Sequence, residues 1–222
     1  PMIEVDARVL AERLRRDFPS PRPVAVPDWR RTPASRVIDC VLSLRKSYER
    51  VVKPRVKRFS DEHPGVVTCA DLRELIRAHP SPLAFHRPVL DMRSPGKAAM
   101  LVGVLDHLID VQPRFDGETE DDRLGAWASW ARPGDYLMLG VPGFGLAGFQ
   151  YLRMLFGAQT TKPDVHILAY VAEALSRPPA TTPGEQVRAV YTIERAGELL
   201  DIPVRDIDVA IWESRTGHST TA

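Results

Sequence analysis

The chain has only two cysteines, Cys40 and Cys69, and they form neither a disulfide framework nor a metal-ligand pattern. They do not suggest secretion. No apolar run reaches the about 18 residues a membrane span needs, so no membrane partner is expected. Glu4, Asp6, Glu12 and Asp17 interrupt the first apolar positions, which argues against a signal peptide and for a cytoplasmic protein. Alternation of the strand type never runs beyond a few residues, and there are no repeats or low-complexity tails. The six histidines are scattered and imply no metal site. Net charge is only +1, which excludes a globally basic protein.

What is present is helical periodicity in a chain of 222 residues with 44% hydrophobic content, enough to bury a real core. Val5, Val9, Leu10 and Leu14 recur at helical spacing over residues 4–17. Pro19, Pro21, Pro23 and Pro27 then force an extended connector. Further helices are expected near 34–47, 49–62, 70–78, 82–91, 95–110, 121–131, 133–139, 146–157, 164–176, 183–199 and 203–213. Thr182-Pro183 and Asp201-Ile202-Pro203 read as helix starts, with Pro near the first helical position. The fold class is all-α.

Charge is unevenly placed. Residues 45–58 carry Arg45, Lys46, Arg50, Lys53, Arg55, Lys57 and Arg58 against Glu49 alone, whereas 106–122 are acidic. A local basic stripe neutralises phosphates while an acidic surface elsewhere keeps the molecule soluble. A solvated helix face explains such a stripe equally well.

Residues 140–172 are the most informative stretch. Val141-Pro142-Gly143-Phe144-Gly145 forms a hairpin pattern ahead of an apolar helix. Gly143 and Gly145 lack Cβ, so they can adopt positive φ and let another backbone approach. The amides that follow, through Leu146 and Ala147, open a helix and suit an anion such as a DNA phosphate. A plain turn between helices is the alternative. Lys162-Pro163-Asp164-Val165-His166 follows, and Asp164 precedes the apolar positions Ile167, Leu168 and Val171 as an N-cap would.

Together the hairpin and the carboxylate nineteen positions after Gly145 resemble the helix-hairpin-helix DNA glycosylase superfamily, which includes endonuclease III and the adenine glycosylases. This resemblance implies two helical lobes with a DNA cleft between them. Residues 35–158 would form the central lobe, and 1–34 with 159–222 the split lobe. Asp164 would be the catalytic carboxylate, and Val141, Gly143, Gly145, Leu146 and Ala147 would hold a phosphate. By the same resemblance, Leu42-Ser43-Leu44-Arg45 stands where relatives keep a Leu-Ser-Ala-Gln segment. Arg45 would then fill the gap left by a flipped base, and Lys46 beside it would bind DNA; a surface Arg on a basic helix is the alternative. Asp39 stands within one residue of a catalytic Glu of the adenine glycosylases and is a candidate second acid. Tyr48, Trp127, Trp130 and His166 are candidate base-pocket residues, since aromatic faces suit a flipped base. Ordinary core packing is the alternative for the tryptophans. His86 and Trp212 are less definite cases.

The departures matter too. Bifunctional relatives carry a nucleophilic Lys where this chain has Ala147, which cannot attack C1′. Lys162 is expected to face solvent across its Pro turn. The four-cysteine iron–sulfur loop is absent, so no cofactor is implied, although a monovalent ion at the hairpin is compatible. The function this implies is a monofunctional, repair-type DNA glycosylase, monomeric, acting on double-stranded DNA and associated with the nucleoid. The other readings are a non-catalytic helix-hairpin-helix DNA-binding protein and a helical partner-binding protein with no DNA role.

Overall fold

Six helix starts in this chain are set by hydroxyl side chains. Thr32, Thr68, Ser81, Ser94, Thr119 and Thr182 each accept a hydrogen bond from a first-turn amide of the helix that follows. Each cap satisfies an N–H that the helix leaves unpaired. Pro33, Pro82, Pro95 and Pro183 come directly after four of these caps, where a missing N–H costs nothing.

The computed structural model describes residues 2–217. In order, the helices are α1 (Met2–Asp17), α2 (Pro33–Ser43), α3 (Lys53–Glu62), α4 (Cys69–Arg77), α5 (Pro82–Leu90) and α6 (Pro95–Val111). They continue with α7 (Glu120–Trp130), α8 (Leu146–Leu155), α9 (Val165–Ala174), α10 (Pro183–Leu200) and α11 (Val204–Thr216). Short 3-10 turns occupy Asp28–Arg30, Gln112–Arg114 and Pro133–Met138, and a π-turn occupies Tyr48–Val52. No strand occurs among the described residues, so the fold is all-α, as the periodicity implies.

Two hydrophobic clusters form. The first is built from α2 (Val37, Ile38, Val41, Leu42), α3 (Val56, Phe59), α6 (Leu101, Val104, Leu105, Leu108) and α8 (Phe149, Leu152), with smaller contributions from α4, α5 and α7. Its buried members all fall between Ala34 and Ala158. The second joins Ala7, Leu10 and Leu14 of α1 to Ile167 and Val171 of α9, Ile193 and Ala196 of α10, and Ile207 and Ile211 of α11. Each large aliphatic side chain so buried contributes about 1.5–3 kcal/mol. α1 lies along α10, which brings the N-terminal segment back onto the C-terminal helices.

Polar side chains join the two clusters. Thr160 donates to Glu194 Oε1 at 2.6 Å, and Gln150 Nε2 donates to the Thr160 hydroxyl. Gln159 Oε1 accepts the Val204 amide at 3.0 Å. The 3-10 turn Pro133–Met138 also rests against α10.

Several boundaries differ from the sequence reading. α2 stops at Ser43 rather than running to 47, and Arg45 takes a left-handed φ of 57°. Residues 133–138 form a 3-10 turn rather than an α-helix, and α3 is preceded by the π-turn. Among the described residues, no helix is long and apolar enough to cross a membrane.

Candidate nucleic-acid interface

Asp164 is the N-cap of α9. Its Oδ1 accepts the amides of His166 at 2.9 Å and Ile167 at 3.1 Å. Its Oδ2 accepts no hydrogen bond from the described residues, and the side chain is half-buried. Pro163 forces a tight bend in which the Asp164 amide donates to the Lys162 carbonyl at 2.7 Å. The turn ahead of it is anchored from below. Asp208 of α11 accepts the Lys162 amide at 2.9 Å and the Thr161 hydroxyl, both through Oδ1. Burial pushes the Asp208 carboxyl up to about 7, and the charge of Asp164 pushes the same way. Nothing in the sequence distinguishes Asp208 from any other helical aspartate, so this support was not legible.

The hairpin is a type II turn. Phe144 N donates to the Val141 carbonyl at 3.1 Å, with Pro142 and Gly143 at its centre. Gly143 has φ +78°, which a residue with a Cβ would adopt under strain. Gly145 has φ −90°, so its lack of a side chain is not a backbone requirement, contrary to the sequence reading. A Cβ built there meets nothing within 4 Å, so the surface over Gly145 is open. Gly145 caps α8 without a side-chain hydrogen bond, which leaves the first amides of α8, from Leu146 and Ala147, without an internal acceptor. Gly148 matters for a different reason. A Cβ there would lie 2.9 Å from the Phe144 ring and 3.4 Å from Leu44, and the Cys40 thiol of α2 meets the Gly148 carbonyl at 3.4 Å. Glycine at this position lets α8 press against α2.

Asp39 is fully buried. Its Oδ1 accepts the Tyr151 hydroxyl at 2.8 Å, and its Oδ2 accepts the Tyr48 hydroxyl at 2.9 Å and Arg30 at 3.5 Å. Arg30 also donates to the Tyr48 oxygen at 3.0 Å. A buried carboxylate is tolerated when its lone pairs are filled in this way. Burial and the Asp39 charge push both phenols well above their ordinary range. Tyr48 is therefore an Asp39 partner whose hydroxyl is committed, and Asp39 itself is covered. The sequence marked Asp39 and Tyr48 but not Arg30 or Tyr151, because the partners come from a distant turn and from α8.

Cations surround this network. Lys162 Nζ sits over the Tyr151 ring, 4.7 Å from its centroid, rather than facing solvent as expected. The face of an electron-rich ring attracts an ammonium. Lys97 donates to the carbonyls of Val41 at 2.6 Å, Leu42 at 3.2 Å and Leu44 at 2.8 Å. These bonds end α2 and explain why the helix is shorter than its periodicity. Burial, then the charges of Lys46, Lys162 and Arg45, push the Lys97 ammonium down to about 8. Arg45 and Lys46 are exposed, and neither side chain has a hydrogen bond or ion pair among the described residues. The rest of the basic stripe is partly spent: Lys53 pairs with Glu49, Arg55 with Asp91, and Arg58 donates to the Val89 carbonyl.

The aromatic candidates separate. Trp127 is 2% exposed and packs edge-on against His107 and Phe149, so it is a core side chain and cannot stack on a base. Trp130 is 65% exposed, and its ring contact is with Phe115, not with any group around Asp164. His166 lies half-buried in the first turn of α9, beside Asp164. His86 is fully buried against Phe85, and burial pushes it down to about 4. Surface cavities of about 380 Å³ lie against Glu173 and Arg177 and against Arg73 and Asp106. Neither is lined by Asp164 or the hairpin. Among the described residues, no three His, Cys, Asp or Glu side chains are placed to hold a metal.

A family model described as a domain of unknown function, DUF8548, matches residues 137–216. The matched segment holds the hairpin, Asp164 and Asp208, and leaves out Asp39. No curated protein and no solved structure matches the chain.

Proposed function

We propose that the chain is a monofunctional DNA glycosylase of the helix-hairpin-helix type, with Asp164 as its catalytic carboxylate. The observation that carries this is the state of Asp164. One oxygen is fixed by two helix amides, and the other is left without a protein donor. A carboxylate held this way is oriented by the helix and keeps one oxygen to offer a developing sugar cation. The two hydrophobic clusters are read as two lobes, with the duplex lying across the hairpin and the turn before α9.

A base inside a duplex must leave the stack before its glycosidic bond is reachable. The hairpin amides with Lys46 hold the backbone, and the uncommitted Arg45 props the gap. As the C1′–N bond breaks, the electron pair leaves with the base and C1′ becomes cationic. Asp164 stabilises that charge and orients a water, whose oxygen then bonds to C1′ as its proton passes, by way of the Asp164 carboxylate, to the departing base. Ala147 offers no nucleophile, so no covalent sugar intermediate forms there. Asp39, covered by Tyr48, Tyr151 and Arg30, acts in positioning α8 and α2 rather than as a second acid.

Base release from a panel of duplexes, each with one damaged or modified base, tests this. Wild type releases one base, strand breaks appear only after alkali, and Asp164→Asn binds the same duplex without release. Normal turnover by Asp164→Asn would sink the mechanism. Binding without release on every duplex would favour a non-catalytic DNA-binding module instead.

A further inference from the structure

Arg205 stands in the first turn of α11, between Asp206, which holds the Val24 amide at 2.9 Å, and Asp208, which holds the Lys162 amide at 2.9 Å. Its guanidinium feels the charges of Arg30, in the turn Asp28–Arg30, and of Arg36 in α2. Both of those are committed. Arg30 donates to Asp39 and Tyr48, while Arg36 pairs with Asp121 and donates from Nε to the Arg30 carbonyl at 3.2 Å. Arg205 is half-buried, yet it has no hydrogen bond and no ion pair among the described residues. The nearest carboxylate in sequence, Asp206, already accepts the Val24 amide at 2.9 Å. Burial, followed by repulsion from Arg30, pushes the Arg205 guanidinium down from its ordinary value.

A guanidinium has five donors and no acceptor. Withdrawing it from water next to two like charges is unfavourable unless an acceptor arrives. The acceptor that matches its planar fork is an oxyanion, and phosphate accepts two parallel N–H bonds. Asp208, three residues along α11 from Arg205 and so on the same helix face, holds the Lys162 amide and the Thr161 hydroxyl, which sets Arg205 near the turn that presents Asp164. We propose that Arg205 is an oxyanion-binding residue that takes a phosphate of the nucleic-acid backbone where the first turn of α11 meets the segment ahead of α9. The identity of that phosphate rests on the glycosylase reading, whereas the oxyanion site does not.

The test compares the full-length wild type with Arg205→Gln and Arg205→Lys. Binding to a short fluorescent duplex is followed by anisotropy over a range of salt, and unfolding is followed with and without inorganic phosphate. Arg205→Gln is expected to be at least as stable as wild type, because an unpartnered charge has gone. It should bind the duplex roughly five- to tenfold more weakly and take about one off the log–log salt slope. Arg205→Lys should keep the slope and lose part of the affinity. If wild type ignores the duplex but is stabilised by inorganic phosphate, and Arg205→Gln is not, the oxyanion site stands and the DNA reading falls. Arg205→Gln matching wild type on both ligands would overturn the proposal. So would a loss of stability without any loss of binding. If Arg205→Gln does not fold, wild-type affinity in Arg205→Lys overturns it as well.

Discussion

Asp208 Oδ1 accepts the backbone amide of Lys162 at 2.9 Å, so a buried carboxyl of α11 holds the turn that presents Asp164 two residues later. Replacing it with alanine leaves the Thr161 hydroxyl and the Lys162 amide buried without an acceptor. Asp208→Ala should lose about 2–4 kcal/mol in urea unfolding. Asp208→Asn keeps an acceptor oxygen and should lose much less. Equal losses would show that the two hydrogen bonds carry little.

The same carboxyl makes stability depend on pH. Its folded pKa, about 7, is raised from 3.8, so the fold binds the proton more tightly than the unfolded chain. The contribution is full below about 4 and is lost as pH rises through about 7, on the order of 4 kcal/mol. The stability difference between wild type and Asp208→Asn should shrink across that window. A flat difference from pH 4 to 8 contradicts it.

Lys97 has the opposite sign. Its folded value of about 8 lies below the ordinary 10.5, so its stabilising contribution is present above about 10.5 and is lost as pH falls through about 8. Wild type should therefore gain stability relative to Lys97→Met between those values. Lys97→Met should also loosen the Leu44–Lys46 segment, visible as faster amide exchange at Arg45 and Lys46. Unchanged exchange there would show that the three carbonyl contacts do not set this bend.

The Asp39 network should be costly to break and cheaper to trim. Asp39→Ala strands Arg30 and two phenols, and about 3–5 kcal/mol should be lost. Tyr151→Phe removes one hydrogen bond to a charged group, about 1.5–3 kcal/mol. A double-mutant cycle in urea measures their coupling, and strict additivity would mean that the hydrogen bond at 2.8 Å is not stabilising.

At Asp164, capping and the proposed catalytic role separate by substitution. Asparagine is as good an N-cap as aspartate, whereas alanine loses about 1 kcal/mol. Asp164→Asn should melt like wild type with base release abolished, and Asp164→Ala should show both defects. An Asp164→Ala melt identical to wild type would remove the cap from the account.

The helices were legible because their information is local. Apolar spacing marks the buried face, and Thr182 with Pro183 marks a start, so α10 and α11 begin within a residue of expectation. Asp164 was legible for the same reason, since an N-cap depends on the next three residues. What failed depends on groups far along the chain. α2 ends at Ser43 because Lys97 takes its last carbonyls. Between Gly145 and Gly148, it is Gly148 that close packing requires, and only the approach of Leu44 and Phe144 reveals it. Trp127 is spacing-neutral between core and pocket until His107 and Phe149 enclose it. The partners of Asp39 and the isolation of Arg205 are likewise properties of the assembled helices.

The joint between the two hydrophobic clusters is made of hydroxyls, amides and carboxyls: Thr160 with Glu194, Thr161 with Asp208, Gln159 with the head of α11. Thr160 and Thr161 are fully buried, so water does not reach these groups, and parting the two clusters would strand them without partners. A hydrogen bond, unlike a leucine contact, is satisfied over a narrow range of geometry. The seam therefore works as a key between the two interiors, setting their register rather than merely gluing them.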